Sequence, residues 1–335
     1  MTAGARLPVT VLTGFLGSGK TTVLARLIRR PEFQKTAVIM NEFGDVALDH
    51  HLIETSDEGL LTLSTGCLCC ASQGDLARAI KDLMGRRRAG LIAFDRFVVE
   101  TTGIANPGPI VQTLLLDPAL AETTYLAHIV TTVDSLTGPE TLDARIEARR
   151  QAAIADVLIL TKSDLAGAAA TAALAGRTAA LNPSAEQIVA VMGDVAPAVF
   201  LPAPGVVGPE RGQAHDHEHD HEHSHDHDHG GIGSISVRRL KPIRAAALPV
   251  FLEALAEAYG PKLLRVKGLA AIAEAPERPA VIHGVQHVFH AIEWLDRWPD
   301  ADRTTRLTLI GENLTPGWPE ILLDALDEEA GAASG

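Results

Sequence analysis

Cysteines and aromatic residues are scarce in this sequence. Only 3 of 335 residues are cysteine and 4% are aromatic, whereas 46% are hydrophobic. The three cysteines fall within residues 67–70, too close together for a disulfide framework, so they indicate metal or redox chemistry in a reducing compartment. We therefore expect a cytoplasmic protein. The abundant Ala, Val and Leu are typical of an α/β fold with a buried parallel sheet.

Long apolar runs and basic surfaces are missing too. No run approaches the roughly 20 apolar residues that a membrane span needs, so we expect no membrane partner. The apolar stretch after Arg6 resembles a signal peptide, but we interpret it as the strand that leads into the first motif. The net charge is −13, and residues 215–229 contain six carboxylates and no Lys or Arg. The three arginines at 86–88 are interpreted as a solvated helix end. Because a nucleic-acid partner requires a basic surface, we expect none.

A phosphate-binding motif is present near the start, in PVTVLTGFLGSGKTT (8–22). It matches G-x-x-x-x-G-K-[ST] and lies between a predicted strand (8–13) and a predicted helix (20–30), which makes a chance glycine turn the weaker reading. Small residues let backbone N–H groups surround a phosphate, and the helix N-terminus adds its dipole. Lysine would reach the β- and γ-phosphates, and the threonine hydroxyl would bind Mg²⁺. The predicted binding residues are Gly14, Gly17, Ser18, Gly19, Lys20, Thr21 (also the Mg²⁺ ligand) and Thr22.

Strands and helices alternate after this motif, which predicts an α/β P-loop NTPase with a mostly parallel sheet flanked by helices. We expect it to span 1–201. Residues 202–231 are rich in Pro, Gly, His and acid and predict a disordered linker. A smaller C-terminal α+β domain with an antiparallel or mixed sheet should occupy 232–335. The predicted strands are 36–41, 60–64, 94–100, 126–133, 157–161, 235–240, 263–273, 279–285, 288–295 and 306–311, and the predicted helices are 72–88, 139–154, 166–181, 245–258 and 318–328.

Glu100-Thr101-Thr102-Gly103 follows an apolar strand and resembles the D-x-x-G motif of GTPases. The acid would approach Mg²⁺ through water, and the Gly103 N–H would meet the γ-phosphate; a plain strand-end turn is the alternative. Ile104 replaces the glutamine that orients the attacking water in many GTPases, so intrinsic hydrolysis should be slow, on the order of 10⁻³ per second or below. We predict Lys20, Glu100 and Glu42 as catalytic residues, although Asp45 and Asp49 are equally able to position water or Mg²⁺ in the loop that begins at Glu42.

Thr161-Lys162-Ser163-Asp164 follows another strand and resembles the N-K-x-D base-recognition motif. Asp164 would accept hydrogen bonds from guanine N1–H and the 2-amino group, and adenine offers no such pair. Lys162 and Asp164 are therefore predicted to bind a guanine nucleotide. Threonine at the first position weakens the match, which leaves ATP as the alternative to GTP.

Cys67, Cys69 and Cys70 offer three soft thiolates suited to Zn²⁺, Co²⁺ or Cu⁺. Only three ligands are close together in the sequence, so the fourth coordination position of the metal would be open. An open site favours a role in metal transfer over a role in folding. The alternative is that the cysteines are buried and inert. A second tract alternates histidine with acid and would bind Zn²⁺, Ni²⁺ or Co²⁺ weakly, releasing it below about pH 6, or would merely solubilise the linker. Its histidines are His215, His217, His219, His221, His223, His225, His227 and His229. We interpret His283, His287 and His290 as structural.

Taken together, GFLGSGKTT, NEFGDVALD, GCLCC, ETTGIANP, TKSDL, the His-rich tract and the tail segments GPKLLRVKG and VQHVFH resemble the CobW-type GTPase family of metallochaperones. The resemblance implies a P-loop GTPase with glutamate in the D-x-x-G motif, as at Glu100, and a family-specific C-terminal domain. It implies a role in zinc homeostasis, cobalt handling for cobalamin biosynthesis or activation of nitrile hydratase. It also implies that Cys67, Cys69 and Cys70 form the metal site with Glu42 as a further ligand, whereas Thr161 departs from the family's usual Asn.

The sequence thus favours a GTP-hydrolysing metallochaperone that binds Zn²⁺ (or Co²⁺), uses Mg²⁺ and delivers its metal to a client protein when GTP is hydrolysed. A nucleotide- or metal-dependent oligomer would be compatible with this hypothesis. The alternative is a metal buffer or storage protein whose nucleotide site is not coupled to the metal. A small-molecule kinase is disfavoured because Asp164 and the cysteines would have no role in it.

Overall fold

The computed structural model describes residues 6–42, 52–55, 61–66, 73–201 and 231–332. Two β-sheets organise these residues, an eight-stranded one in the N-terminal half and a six-stranded one in the C-terminal part. The linker predicted for 202–231 lies outside the described residues apart from Gly231. The expected division at residues 201 and 232 stays a prediction.

The N-terminal domain contains eight strands and eight helices among its described residues. The strands are β1 (Leu7–Gly14), β2 (Thr36–Glu42), β3 (Leu52–Thr55), β4 (Leu61–Gly66), β5 (Arg96–Glu100), β6 (Thr124–Asp134), β7 (Val157–Thr161) and β8 (Glu186–Val189). The helices are α1 (Lys20–Leu27), α2 (Gln73–Arg88), α3 (Gly108–Leu116), α4 (Pro118–Thr123), α5 (Gly138–Ala144), α6 (Ile146–Ile154), α7 (Ser163–Ala166) and α8 (Ala168–Leu181).

The strand order is β3-β4-β2-β5-β1-β6-β7-β8, and every pairing is parallel except β3 with β4. The central strand β1 pairs Val11 with Val99 of β5 and with Ile129 of β6. The chain leaves β1 toward β2 on one side and returns to β6 on the other. Strand order therefore reverses at β1, and such a sheet binds ligands at the carboxyl ends of the strands beside this point.

Alternation along β1 explains why helices cover both faces of the sheet. Val9 and Val11 belong to the core cluster that contains residues of α2 and α3, whereas Leu12 belongs to the opposite cluster with Val23 and Leu24 of α1. Burying an aliphatic side chain of this size contributes about 1.5–3 kcal/mol. The two layers of helices hold the loop after β1 between rigid elements.

The P-loop fold predicted from the sequence is confirmed, and some elements of the N-terminal domain differ from the prediction. Helix 139–154 is two helices separated at Arg145, which has an extended conformation (φ −126°, ψ 113°). The structure adds β3, β8 and the helix pair α3–α4. Helix α3 opens with Gly-Pro, a pair that suggests a loop, yet proline is well accommodated in the first turn of a helix.

The C-terminal domain consists of an antiparallel sheet with two helices on one face, which settles the choice between antiparallel and mixed. Its order is β12-β11-β10-β14-β9, with β13 paired to β11. The strands are β9 (Ile232–Arg239), β10 (Leu263–Ala270), β11 (Ala280–Val285), β12 (Val288–Phe289), β13 (Glu293–Trp294) and β14 (Thr305–Glu312), and the helices are α9 (Ala247–Tyr259) and α10 (Trp318–Ala332).

The face of this sheet away from α9 and α10 packs against the N-terminal domain. Ala153 of α6 is buried with Leu264 of β10 and Ile310 of β14. On the same helix, Arg150 donates a hydrogen bond from Nε to Oε1 of Glu312 at 2.7 Å. The C-terminal domain is thus bonded directly to α6. Among the described residues, no helix combines the length and apolar character needed to cross a membrane.

Candidate nucleotide site

The loop between β1 and α1 is closely packed against β6. Gly14 has φ 141°, and a Cβ atom there would lie 2.3 Å from Oγ1 and 2.5 Å from the backbone oxygen of Thr132. Any side chain at this position would push β1 away from β6. Gly17 and Gly19 also have positive φ, 71° and 92°, and Ser18 is fixed by a 2.7 Å hydrogen bond between its hydroxyl and that of Thr132.

Lys20 lies beneath this loop. Its Nζ donates to the backbone oxygens of Gly14 at 2.8 Å and Phe15 at 3.1 Å, and the side chain is buried. Burial lowers the pKa of Lys20, while the nearby Glu100 carboxylate acts in the opposite direction. A cation held within a loop of backbone N–H groups is the arrangement that binds a polyphosphate.

Thr21 and Glu100 meet where α1 begins and β5 ends. The Thr21 hydroxyl donates to Oε1 of Glu100 at 2.7 Å, and Glu100 is buried. A hydroxyl and a carboxylate are the oxygen ligands that Mg²⁺ prefers. These two residues therefore fit a magnesium ion. Thr22, the next residue of α1, is exposed.

The segment from Thr101 to Pro107, which we call the switch loop, lies directly on the phosphate-binding loop. Thr101 donates from its backbone N–H to Leu12 O at 2.9 Å and from its hydroxyl to Thr13 Oγ1 at 2.8 Å. A Cβ atom on Gly103 would lie 2.6 Å from the backbone nitrogen of Leu16. Only glycine fits at 103 with this packing, as expected of a residue whose N–H approaches a phosphate.

The base motif is bonded to the phosphate-binding loop through the residue that departs from the family pattern. Thr161 donates from its hydroxyl to Ser18 O at 2.7 Å. Lys162 has φ 54° and donates from Nζ to Oδ2 of Asp134 at 2.8 Å. Burial alone would raise the pKa of Asp134, but hydrogen bonds from Lys162, Leu136 N–H and the Thr137 hydroxyl hold it below its usual value. Asp164 is exposed in α7.

The structure thus brings the predicted residues from the phosphate-binding, switch and base motifs to one edge of the sheet. Thr132, Asp134 and Gln151 were missed in the sequence. Asp134 had a signal, because it directly follows the predicted strand 126–133, whereas Gln151 lies within a helix and had none. The roles assigned to individual residues stay predictions.

The predicted ligands of the transition metal fall outside the part of the chain that the structure describes. Cys67, Cys69, Cys70 and the eight histidines of 215–229 lie outside the described residues, as do Asp45, Asp49 and the side chain of Glu42. Within the described ranges, no group of three or more His, Cys, Asp or Glu side chains is arranged to hold a metal ion. The metal site predicted at the cysteines therefore stays a prediction.

His283 and His290 differ from the expectation of satisfied structural histidines. Their ring centroids are 6.1 Å apart, and neither Nε2 has a hydrogen-bond partner in the described structure. Burial, followed by the positive charge of Arg265, lowers the pKa of His283 to about 2 and that of His290 to about 4. Both imidazoles are neutral in the folded protein at ordinary pH.

Comparison with known families decides the identity of the fold. Residues 8–189 match the family described as CobW/HypB/UreG, nucleotide-binding domain, and residues 232–328 match the Cobalamin synthesis protein cobW C-terminal domain. The chain belongs to the CobW family.

Two relatives and two solved structures resemble this CobW-family chain over most of its length. The zinc chaperone YjiA of Escherichia coli is 33% identical over 308 residues, covering 92% of this chain and 95% of YjiA. The zinc chaperone CobW of Pseudomonas aeruginosa is 34% identical over 353 residues, covering 92% and 88%. The crystal structure of Zn(II)-bound YjiA GTPase from E. coli superposes with a TM-score of 0.75 at 29% identity, covering 96% and 99%. The crystal structure of a Zn(II)-bound triple mutant of YjiA superposes with a TM-score of 0.78 and covers 96% of this chain and 99% of the mutant chain.

Proposed function

We propose that this CobW-family GTPase is a metallochaperone that binds Zn²⁺ at Cys67, Cys69 and Cys70 and delivers it to a client metalloprotein, with GTP hydrolysis gating the transfer. The chain is a P-loop GTPase, as its relatives are. Delivery, the client and the ligand set are the parts we propose. The observation that carries the proposal is the Thr21–Glu100 hydrogen bond beside buried Lys20, in a chain similar along 92% of its length to two zinc chaperones.

The nucleotide site supplies electrostatic positioning in this proposal. Lys20 would exchange its two carbonyl partners for oxygens of the β- and γ-phosphates. Thr21 and Glu100 would hold Mg²⁺, which neutralises charge on the phosphates when bound. Asp164 would select guanine, and Gly103 would offer its N–H to the γ-phosphate. The switch loop contributes no glutamine, since Ile104 occupies that position, so turnover without a stimulating partner or metal should be slow.

Gating requires that metal and γ-phosphate bias one structural element. Strands β2 and β4 lie side by side in the sheet and pair Glu42 with Gly66, directly before the cysteines. Strand β2 also pairs with β5, which ends at Glu100. Three neighbouring strands thus end in the loop after Glu42, the cysteine segment and the switch loop. A shift at one of them can be transmitted to the others, and by linkage GTP and Zn²⁺ must then alter each other's affinity by the same factor.

The test is the Zn²⁺ affinity of a chain lacking residues 215–229, measured by competition with a chelating dye in Mg²⁺ plus either GDP or a non-hydrolysable GTP analogue. Removal of the tract isolates the cysteine site. We expect affinities that differ by tenfold or more, about 1.4 kcal/mol of coupling. The matched control is Cys67→Ser in the same deletion, which should weaken Zn²⁺ binding and abolish the difference. Equal affinities in the two nucleotides would refute gating.

A metal buffer is the second candidate, and the eight alternating histidines favour it. Stoichiometry separates the two: a buffer binds several Zn²⁺ ions per full-length chain and ignores nucleotide, whereas a chaperone has one tight, nucleotide-sensitive ion. Use of Co²⁺, a role in cobalamin biosynthesis, a cytoplasmic location and a nucleotide- or metal-dependent oligomer remain proposals of the same kind.

A further inference from the structure

Gln151 is a fully buried polar side chain whose partners are in the switch loop. Its Nε2 donates to the backbone oxygens of Gly103 at 3.1 Å and Ala105 at 3.0 Å. Two acceptors on one side fix the orientation of the amide, because an oxygen placed there would face two carbonyl oxygens. Gln151 therefore holds the carbonyls on both sides of Ile104, whose own side chain is exposed.

Gln151 and the phosphate-binding loop both contact Gly103 of the switch loop. Gly103 packs against the backbone of Leu16, and its carbonyl oxygen accepts a hydrogen bond from Gln151 Nε2. The Oε1 atom of Gln151 has no hydrogen-bond partner in the described structure. The Gln151 residue lines a small cavity of about 20 Å³ together with Phe15, Leu16 and Thr132.

Helix α6, which contains Gln151, also contacts the C-terminal domain. Arg150, the preceding residue, bonds to Glu312, and Ala153 packs against Leu264 and Ile310. Just after α6, Asp156 is paired with Arg265 of β10, which is buried. Contacts with the C-terminal domain therefore add to the packing of α6 on the N-terminal sheet, and both contribute to the position of the Gln151 amide.

The far end of the switch loop has a contact of the same kind. Gln112 of α3 donates from Nε2 to Oε1 of Gln286, in the turn between β11 and β12, at 2.6 Å. The backbone of Gly108 approaches the same side chain, since a Cβ atom there would lie 2.2 Å from Gln286 Nε2. The C-terminal domain therefore contacts both helices that fix the switch loop, α6 from beneath and α3 at its end.

We propose that Gln151 is a positioning residue for GTP hydrolysis, through which the C-terminal domain holds the switch loop in the conformation that meets the γ-phosphate. A client that displaces the C-terminal domain from α6 would then change the rate of hydrolysis without touching the nucleotide. The inference deepens the proposed function and rests on it, because it assumes that the Gly103 N–H senses the γ-phosphate.

The test compares Gln151→Met, which keeps the length of the side chain and removes both donors, with the full-length wild type. We expect amide hydrogen exchange in residues 101–106 to become about tenfold faster, because the carbonyls of Gly103 and Ala105 lose their buried donor. Affinity for a non-hydrolysable GTP analogue and kcat should each fall about tenfold, while GDP affinity stays within twofold. A merely structural role would change the affinities for both nucleotides equally.

A second variant tests the link to the C-terminal domain and avoids the buried position. Glu312→Ala removes the partner of Arg150. It should speed hydrogen exchange in residues 101–106 and lower both kcat and the affinity for the GTP analogue, each by about two- to fivefold, the size expected for one partly exposed ion pair. Its matched control is Glu277→Ala, which removes an exposed ion pair with Arg303 within the C-terminal domain, away from α6, and should change none of them.

The inference is overturned if Gln151→Met leaves exchange and the ratio of the two affinities unchanged, or if Glu312→Ala behaves like Glu277→Ala. Failure of the proposed function has a different signature. A wild type that binds GDP and the GTP analogue equally would show that the loop does not sense the γ-phosphate, and exchange in residues 101–106 would still decide whether Gln151 and the C-terminal domain hold that loop.

Discussion

At the scale of single residues, Thr161 illustrates how one hydroxyl can connect two motifs. It stands at the first position of the base motif and donates to the carbonyl of Ser18 in the phosphate-binding loop, at 2.7 Å. It is buried, so that carbonyl has no ready substitute from water. Threonine in place of asparagine at this position thus still provides a hydrogen-bond donor from the base motif to the phosphate-binding loop.

Replacement of this hydroxyl has a defined expected effect. In Thr161→Val the Ser18 carbonyl loses its buried donor, which costs about 1–3 kcal/mol, and we expect affinity for GDP to fall about tenfold by isothermal titration calorimetry. Thr161→Asn, which restores a donor, should recover most of it. The control is Thr171→Val, which removes a hydroxyl bonded only to a helix carbonyl of its own segment. An unchanged affinity in Thr161→Val would show that this hydrogen bond does not support the loop.

Residues were predictable from the sequence where their chemistry follows from local spacing. Lys20 and Thr21 belong to one short motif, and Glu100 follows a recognisable strand, so their meeting at one sheet edge could be anticipated from parallel topology. Gln151 binds the backbone of residues 46 and 48 positions away. That contact depends on where a helix packs, and nothing in its sequence neighbourhood indicates it.

At the scale of elements, the switch loop is held at its start, at Gly103 and where α3 begins. Thr101 binds β1, Gly103 lies against the phosphate-binding loop, and α3 begins at Gly108 against Gln286. The sequence predicted the strand before this loop but not the helix after it, because Asn-Pro-Gly-Pro is typical of a turn. Its helical continuation is stabilised by apolar contacts of Val111 and Leu114 in the core, which are tertiary.

Gly103→Ala tests how closely the loop and the phosphate-binding loop are packed. The new Cβ would lie 2.6 Å from the backbone nitrogen of Leu16, so one of the two loops must move. We expect GTP hydrolysis to fall at least about 100-fold, on the scale of lost transition-state positioning. Gly85→Ala in α2 is the control, since its Cβ meets nothing within 4 Å; it should leave hydrolysis unchanged and raise stability by up to about 1 kcal/mol. Steady-state phosphate release measures both, and equal rates for the two variants would contradict the packing argument.

At the scale of the whole molecule, charge is concentrated where the domains meet. Asp156 accepts hydrogen bonds from Ile129 N–H and from Arg265, and Lys267 lies 3.9 Å from its Oδ1. Burial alone would raise the pKa of Asp156, but the charges of Arg265 and Lys267 hold it well below its usual range. Burial, followed by the charge of Arg265, lowers the pKa values of His283 and His290 beside this group.

The lowered pKa values of these two histidines predict that the free energy of unfolding decreases as the pH drops below 7. In the unfolded chain His283 and His290 bind protons as pH drops through about 6.5, whereas in the folded protein their pKa values are about 2 and about 4. The unfolded state thus binds more protons between pH 7 and 5, and each histidine removes roughly 2 kcal/mol of stability across that window. Urea denaturation at pH 7, 6 and 5 measures the slope.

The exposed His287 provides the control for this prediction. His283→Phe removes one of the two histidines whose pKa is lowered and should lower the slope by about half, since the two contribute about equally between pH 7 and 5. His287 is exposed, so His287→Phe should leave the slope as it is in the wild type. A slope that is the same in all three proteins would mean that the buried histidines do not cause the acid sensitivity.

The interface between α6 and the C-terminal sheet also has a consequence for synthesis. Arg150 and Glu312 are 162 positions apart, and Asp156 and Arg265 are 109 apart. At translation rates of about 5–20 residues per second, the helix that carries Arg150 leaves the ribosome roughly 10 to 30 s before its last partner strand. During that interval the nascent GTPase domain presents Ala153 and Asp156 to solvent, so its early folding must tolerate an apolar and charged surface that the finished protein covers.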